Sequence, residues 1–368
     1  MNGWDPLAAI GMVAAGGIAA VASGRWTAPW ALWLLLKIRY DLVVLGGSNL
    51  PRRGPALLVA NHVTWMDGFL LMAALPRVAS FLVNAAILDQ VGLNWLGRWY
   101  RIIPTPASGP KAQRAAIERA RDALKAGQLV ALFPEGQLSR NGRLGRFLRG
   151  LELMARSQRH CVIVPVCLEN LWGSMFSFSG GRFWKRPHGR RRRVIVSVGP
   201  PLRHDATTFE ARQAVLEAGV RGRAWWRSVD PQGEAASAAL IAHDATTSWD
   251  GNADPTPLAC WIHPTLGKLA GESPDFARDE IRQRGRQPGT VGQAWIGVAL
   301  RVVDNQNRVL GPGMIGRIQA LTVATIPIAT STEGWVETGR EGTLDADGFL
   351  TLVDSTEQGE VESRRLHT

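Results

Sequence analysis

Asn61-His62-Val63-Thr64-Trp65-Met66-Asp67 follows directly on the apolar run Pro55-Ala-Leu-Leu-Val-Ala60, and the first two thirds of the chain read as organised around that junction. Residues 55–60 are short, apolar and fenced by Gly54, Pro55 and Asn61, which marks a buried strand ending in a functional loop. His62 then leaves the carboxyl end of that strand. Five positions apart on one continuous helix, His62 and Asp67 would point about 140° away from each other. Contact therefore requires His62 in the loop and Asp67 on the helix that follows. A carboxylate on one imidazole nitrogen fixes the tautomer and leaves the other nitrogen free to take a proton from a hydroxyl. A histidine capping a helix beside an unrelated carboxylate is the plainer account of a lone His-x4-Asp, but this one has company downstream.

The pattern beyond the junction alternates helix and buried strand. Residues 68–75 read as a helix and 78–83 as a strand, with Pro76 and Arg77 between them. Residues 111–125 are helical by composition and stop at Gly127. Leu129-Val-Ala-Leu-Phe133 is a compact strand leading into Pro134-Glu135-Gly136, where Gly136 allows close backbone approach and Glu135 is placed to accept hydrogen bonds from a polyol. Residues 161–168 and 194–198 are further strands. Thr207 with Glu210 forms a capping box for a helix expected to run to about Gly219.

In pattern, Asn61-His-Val-Thr-Trp-Met-Asp67 resembles the first motif of the glycerolipid acyltransferases. Phe133-Pro-Glu-Gly136 resembles their third motif and Val164-Pro165-Val166 their fourth, in the same order, over roughly residues 27–205. The resemblance implies an α/β fold, a glycerolipid-acyltransferase-type sheet covered by helices. It implies His62 as general base with Asp67 as its partner, and an acceptor site shaped by Glu135 and Gly136. The family's second motif carries a phosphate-binding arginine; here Ile103-Pro-Thr-Pro-Ala107 has none, and Arg98 and Arg101 lie nearby as substitutes. Gln137-Leu-Ser-Arg140 replaces the family's continuation of the third motif, so Arg140, Arg143 and Arg146 are candidates for the arginine there. No cofactor and no metal is implied. The resemblance implies an acyl-coenzyme A or acyl-[acyl carrier protein] thioester as co-substrate and membrane phospholipid or lysophospholipid as partner.

A net charge of +11 over 368 residues calls for an anionic partner, and phospholipid headgroups and nucleic acid both qualify. Fifteen tryptophans against two tyrosines favour the membrane interface. Residues 6–23 are apolar and uncharged but diluted by Gly and Ala, and residues 26–39 are aromatic and aliphatic with cationic ends, so residues 1–40 read as a membrane-associated segment on the cytoplasmic face of the inner membrane. Residues 171–184 with Arg190 to Arg193 read as an aromatic and cationic lipid-facing rim; no nucleic-acid recognition fold accompanies that run. Cys161, Cys167 and Cys260 have neither metal spacing nor a disulfide framework, which suits a reducing compartment.

The acyltransferase domain is expected over 41–228. Residues 229–257, rich in small and polar residues, read as a linker, and 258–368 as a small, mainly-β remnant. Residues 286–292, 298–304, 313–316 and 334–352 resemble the late part of the adenylate-forming acyl-activating enzymes, without the phosphate-binding loop and with Arg340 where that family holds ribose through an aspartate. The two halves together resemble the bifunctional acyl-[acyl carrier protein] synthetase and lysophosphatidylethanolamine acyltransferase proteins. From the missing parts, the C-terminal region is expected to lack adenylating activity and to be dispensable after Ser228. A non-catalytic lipid-binding remnant is the alternative reading of the whole chain.

Overall fold

The computed structural model describes residues 34, 36–84, 101–105, 109–181, 191–244, 258–278, 281–326 and 334–353. In chain order, β1 (Tyr40–Leu45), β2 (Ala56–Ala60), α1 (Asp67–Ala74), β3 (Ala79–Asn84), β4 (Ile103–Thr105), α2 (Pro110–Lys125), β5 (Leu129–Leu132), α3 (Gly150–Ala155), β6 (Val162–Glu169), β7 (Arg192–Val198) and β8 (Leu202–Arg203) lead to the long helix α4 (Thr208–Val229) and then α5 (Pro231–Asp244). One mixed sheet runs β1-β7-β6-β2-β5-β3-β4, with β8 pairing β6. Its centre, β6-β2-β5-β3-β4, is parallel, whereas β7 and β8 pair antiparallel with β6.

Every residue of β2 is buried, as a central parallel strand covered on both faces requires. Alternation sorts its side chains: Ala56, Leu58 and Ala60 join Leu70 and Leu71 of α1, while Leu57 and Val59 join Leu124 of α2 and Leu151 of α3 on the opposite face.

The capping box at Thr207 is present in full, but α4 does not end at Gly219. A Cβ there would lie 2.8 Å from Cys167 Sγ, and one at Gly222 would lie 3.0 Å from Ser197 Cβ, so both glycines serve close helix–sheet packing rather than termination. The helix continues because its other side is covered as well. Phe209 and Val220 pack under a four-stranded antiparallel sheet, β14 (Val298–Val303), β15 (Gly316–Thr322), β16 (Val336–Leu344) and β17 (Leu350–Val353). The smaller strands β9 (Cys260–His263), β10 (Gly267–Gly271) and β13 (Gln293–Ala294), and the hairpin β11 (Phe276–Arg278) to β12 (Ile281–Gln283), complete this C-terminal unit.

Two boundaries move. Tyr40 opens β1 and Leu36 is buried in the core, so the N-terminal unit does not stop cleanly at residue 40; residues 1–33 lie outside the described residues. The linker expected over 229–257 holds α5, whose buried positions Glu234, Ser237, Ile241 and Asp244 recur at helical spacing. Three of the four are polar, which is why a search for apolar periodicity passed over the helix. Glu234 meets Arg223 of α4 at 3.1 Å, and the same guanidinium meets Glu169 of β6 at 2.8 Å.

Candidate active site

β2 ends at Ala60, and Asn61 prolongs its pairing with a side chain. Its Nδ2 donates to Leu168 O at 3.0 Å while its Oδ1 accepts from Leu168 N at 2.7 Å, so the amide stands in for one more residue of the ladder. His62 then emerges into the loop and Asp67 begins α1, the placement that contact requires. His62 Nδ1 donates to Asp67 Oδ2 at 2.9 Å. Asp67 is fully buried, and its carboxylate also accepts from Val63 N at 2.6 Å, Thr64 N at 2.8 Å and Thr64 Oγ1 at 2.6 Å. The imidazole stacks on Phe133, centroids 4.1 Å apart and planes 12° apart. With Nδ1–H spent on Asp67, Nε2 carries the lone pair, and among the described residues it has no hydrogen-bond partner.

The Phe133-Pro-Glu-Gly136 turn holds the same histidine by its main chain. Glu135 Oε1 accepts from His62 N at 2.8 Å and Oε2 accepts from Gly145 N at 2.8 Å. Glu135 is thus turned inward and buried, a clasp between two loops instead of the polyol acceptor expected from its position at a strand end. Burial pushes its carboxyl up to about 7, against the downward pull of the His62 and Gly145 amides and of the Arg212 guanidinium. Gly136 sits at φ 68°, where a Cβ would come within 2.8 Å of Leu148 Cδ1, so the turn demands glycine. Ser139 N donates to His62 O at 2.8 Å, completing a hold on His62 through its amide, its carbonyl and its ring.

The other expected site residues are engaged elsewhere or stand on neighbouring segments. Arg101 is exposed at φ 46°, just before β4. Ile103 is in register with Leu82, and through β5 with Val59, which puts Arg101 three strands away and five residues below His62, roughly 20 Å by strand geometry. The guanidinium of Arg140 lies 3.4 Å over the Phe178 ring and 5.1 Å from that of Phe276, joining the aromatic loop to the C-terminal unit. Arg143 is buried with Nη2 donating to Gln293 O at 2.9 Å and Ala294 O at 3.0 Å; Arg146 is 3.9 Å from Asp347. Arg98 lies outside the described residues.

The lipid-facing rim is also redrawn. Trp172 is buried, and its Nε1 donates to Asp244 Oδ2 at 2.8 Å, an oxygen shared with Ser179 Oγ at 2.6 Å. Arg192 donates to Asn170 O at 2.6 Å and Trp172 O at 2.8 Å, and Arg193 to Asp41 at 3.1 Å, so these charges fasten the loop and β1. Phe183, Trp184 and Arg190 lie outside the described residues. Sequence reasoning had assigned nothing to Thr64, Ser139 or Asn61. Each lies inside or just after a recognised motif, and only the local fold reveals what its side chain or amide meets. Among the described residues no group of three or more His, Cys, Asp or Glu side chains could hold a metal ion.

Residues 41–169 match the acyltransferase family. That span contains the whole His62–Asp67–Glu135 group. Over 189 residues, 50% of this chain and 52% of the relative, it is 29% identical to the chloroplastic 1-acyl-sn-glycerol-3-phosphate acyltransferase LPAT1 of Arabidopsis thaliana. Over 202 residues, 53% of this chain and 72% of the relative, it is 24% identical to the 1-acyl-sn-glycerol-3-phosphate acyltransferase of Pseudomonas aeruginosa. The chain spans about half the length of the plant relatives it matches. The crystal structure of the 1-acyl-sn-glycerophosphate acyltransferase PlsC from Thermotoga maritima aligns with 59% of this chain and 90% of its own at 22% identity and a TM-score of 0.44. A stretch of 79 residues, 18% of this chain and 14% of the relative, is 37% identical to oxalate–CoA ligase of Saccharomyces cerevisiae.

The raised Glu135 carboxyl gives stability a pH dependence of definite sign. Between its ordinary value of 4.5 and about 7 the folded protein keeps a proton that the unfolded chain releases, so the contribution is complete below 4.5, falls as pH rises, and is flat above about 7. Urea unfolding of wild type and Glu135→Gln across that range should show the wild type losing stability relative to the variant by about 3 kcal/mol. A difference that is constant with pH would show that Glu135 does not titrate there.

Proposed function

We propose that the chain is an O-acyltransferase moving a fatty acyl group from a thioester, on acyl carrier protein or coenzyme A, to a hydroxyl of a lysophospholipid or glycerol phosphate lipid. The observation that carries this reading is the His62 Nδ1 to Asp67 Oδ2 bond of 2.9 Å onto a fully buried carboxylate, which leaves Nε2 as a base in a ring only 22% exposed. The family match over residues 41–169 and the activities named for the relatives support the substrate class.

The acceptor hydroxyl gives its proton to His62 Nε2 as its oxygen attacks the thioester carbonyl. The imidazolium that forms is stabilised by Asp67. Collapse of the tetrahedral intermediate breaks the C–S bond, and the departing thiolate takes the proton back from His62 Nε2. Ester and thiol are the products, and no covalent acyl-enzyme is required.

With detergent-purified protein, a radiolabelled thioester and a panel of lysolipids, wild type should form labelled diacyl product. His62→Ala should be slower by at least about a hundredfold, the low end for a positioned base, with its melting curve nearly unchanged. Normal turnover by that variant would remove His62 from the mechanism.

The same reading places the enzyme on the cytoplasmic face of the inner membrane, held partly by residues 1–40. Its support is the composition of that segment together with Leu34 and Ile38, which are 55% and 64% exposed. Among the described residues no helix is long and apolar enough to cross a membrane. In vesicle flotation the full chain should stay with anionic vesicles in part at high salt, the apolar share, and lose the cationic share as screening increases. Full flotation with neutral vesicles at high salt by a chain lacking residues 1–40 would disprove the assignment.

The C-terminal unit is read as a remnant of an adenylate-forming enzyme, supported by the strand motifs of 286–352. Adenylation needs cradled phosphates and a held ribose, and Arg340, a donor without acceptor capacity, occupies the ribose position. Pyrophosphate exchange with ATP and fatty acid should be undetectable; measurable exchange would overturn the reading.

A further inference from the structure

The ten residues from Gln137 to Arg146 join the Glu135 turn to the amide of Gly145, and they are gripped along their length by the C-terminal unit. Gln137 Nε2 donates to Arg282 O at 2.8 Å. Arg140 N donates to Gln283 Oε1 at 2.8 Å, and Gln283 Nε2 donates to Asn141 Oδ1 at 2.6 Å. Asn141 Nδ2 donates to Ser273 Oγ at 3.0 Å, and Arg143 reaches the carbonyls of Gln293 and Ala294 while lying 5.1 Å from the Trp295 ring centre. Gln283, Asn141 and Ser273 are all buried.

This network runs inward as well. Asn141 Oδ1 also accepts from Arg143 N at 3.0 Å, the single Ser139 hydroxyl proton goes to Arg143 O at 2.9 Å with Asn141 Oδ1 3.4 Å away, and Ser139 N donates to His62 O at 2.8 Å. Four hydrogen bonds, Gln283 to Asn141, Asn141 to the Arg143 main chain, the Arg143 carbonyl to Ser139 and Ser139 to His62, therefore link a side chain on β12 to the carbonyl of the candidate base. Both ends of the Gln283 amide are engaged, one as acceptor and one as donor, so neither a hydrophobic side chain nor a carboxylate can reproduce the pair.

We propose that the C-terminal unit is a positioning module for the His62 loop, with Gln283 as a positioning residue acting through Asn141 and Ser139 on the backbone of His62. The proposal rests on the acyl-transfer reading of His62 and reverses the dispensability inferred from the unit's missing adenylation motifs. Removing residues after 228 would take away α5, uncover Phe209 and Val220 of α4, and strip the loop of every partner named above from residues 273–295. A base held loosely is still a base. Its loss of alignment falls on the chemical step, where a displacement of about 1 Å costs up to about a hundredfold.

The test uses the full chain with Gln283→Leu, Asn141→Leu and both together. Each single variant should lower kcat by about ten- to a hundredfold and leave KM within about threefold, and the double variant should be no slower than the slower single one, because both cut the same path. Hydrogen exchange at the Ser139 amide should quicken in Gln283→Leu while the β2 amides keep their protection. Should Gln283→Leu fail to fold, Gln283→Glu serves instead: it has the same shape, keeps the acceptor for Arg140 N and opposes Asn141 Oδ1 with a second acceptor. A folded single variant with wild-type kcat, or losses that multiply in the double variant, would overturn the proposal. If the wild type transfers no acyl group at all, the acyl-transfer reading fails separately, and unchanged Ser139 exchange in the variant then decides against the positioning role on its own.

Discussion

The structure depends most on the carboxylate of Asp67. A fully buried carboxylate is costly unless donors surround it, and here all four come from the three residues His62, Val63 and Thr64. The two backbone amides and the Thr64 hydroxyl would be satisfied whatever residue stood at 62. They fix the path of the chain, and the imidazole bond then exploits a loop already in place. This makes Asp67 an architectural residue first and a partner of the base second, and it explains why the motif includes a hydroxyl residue three positions before the acid. The Thr64–Ser177 bridge extends the same loop to the aromatic segment, which Asp244 at the end of α5 holds through Trp172, Ser179 and Gly180.

Glu135 does the same work from the other side, with a different balance. It faces two amides where Asp67 faces two amides, a hydroxyl and an imidazole, and its carboxyl is raised to about 7. Its countercharge, Arg212, is itself buried, donating to Gly145 O at 3.0 Å and Leu144 O at 3.1 Å, and burial lowers it to about 10. The Gly145 peptide thus gives its N–H to Glu135 and its C=O to Arg212, which ties the acid and the base of this pair through one peptide unit.

The sequence made the centre legible and the periphery obscure, for a physical reason. The strands β2, β5 and β6 are continuous apolar runs between turn residues, and the His62 to Asp67 spacing permits contact in only one local geometry, so both follow from local rules. The roles of Arg101 and Arg140 do not: a guanidinium can be solvated, stacked on an aromatic ring or bound to carbonyls, and nothing within a few residues decides among these. Helix α5 escaped because its buried face is Glu234, Ser237 and Asp244 with a single Ile241, and these pair with residues far away in the chain. The place of Glu135 follows from its turn, but its inward orientation does not, since its two amide donors lie 73 and 10 residues away.

The C-terminal unit is where local and global evidence diverge most. Its strand motifs resemble the late part of the adenylate-forming enzymes. Its charges place it within the electrostatics of the His62 site. Asp345 and Asp347, in the turn between β16 and β17, pull the Arg212 guanidinium upward together with Glu135, so a row of alternating charge runs from the His62 amide through Glu135 and α4 to that turn. Gly348 lies directly against Arg212, where a Cβ would collide with the guanidinium. Arg143, lowered to about 9 by burial and by the like charge of Arg212, has its charge met among the described residues by carbonyls and an indole from residues 293–295. Two buried arginines beside one raised carboxyl make a poor arrangement for a free-standing domain and a workable one for a covered domain. The C-terminal unit thus helps bury Arg143 and Arg212, and Arg212 is the countercharge of the carboxyl that holds the His62 amide.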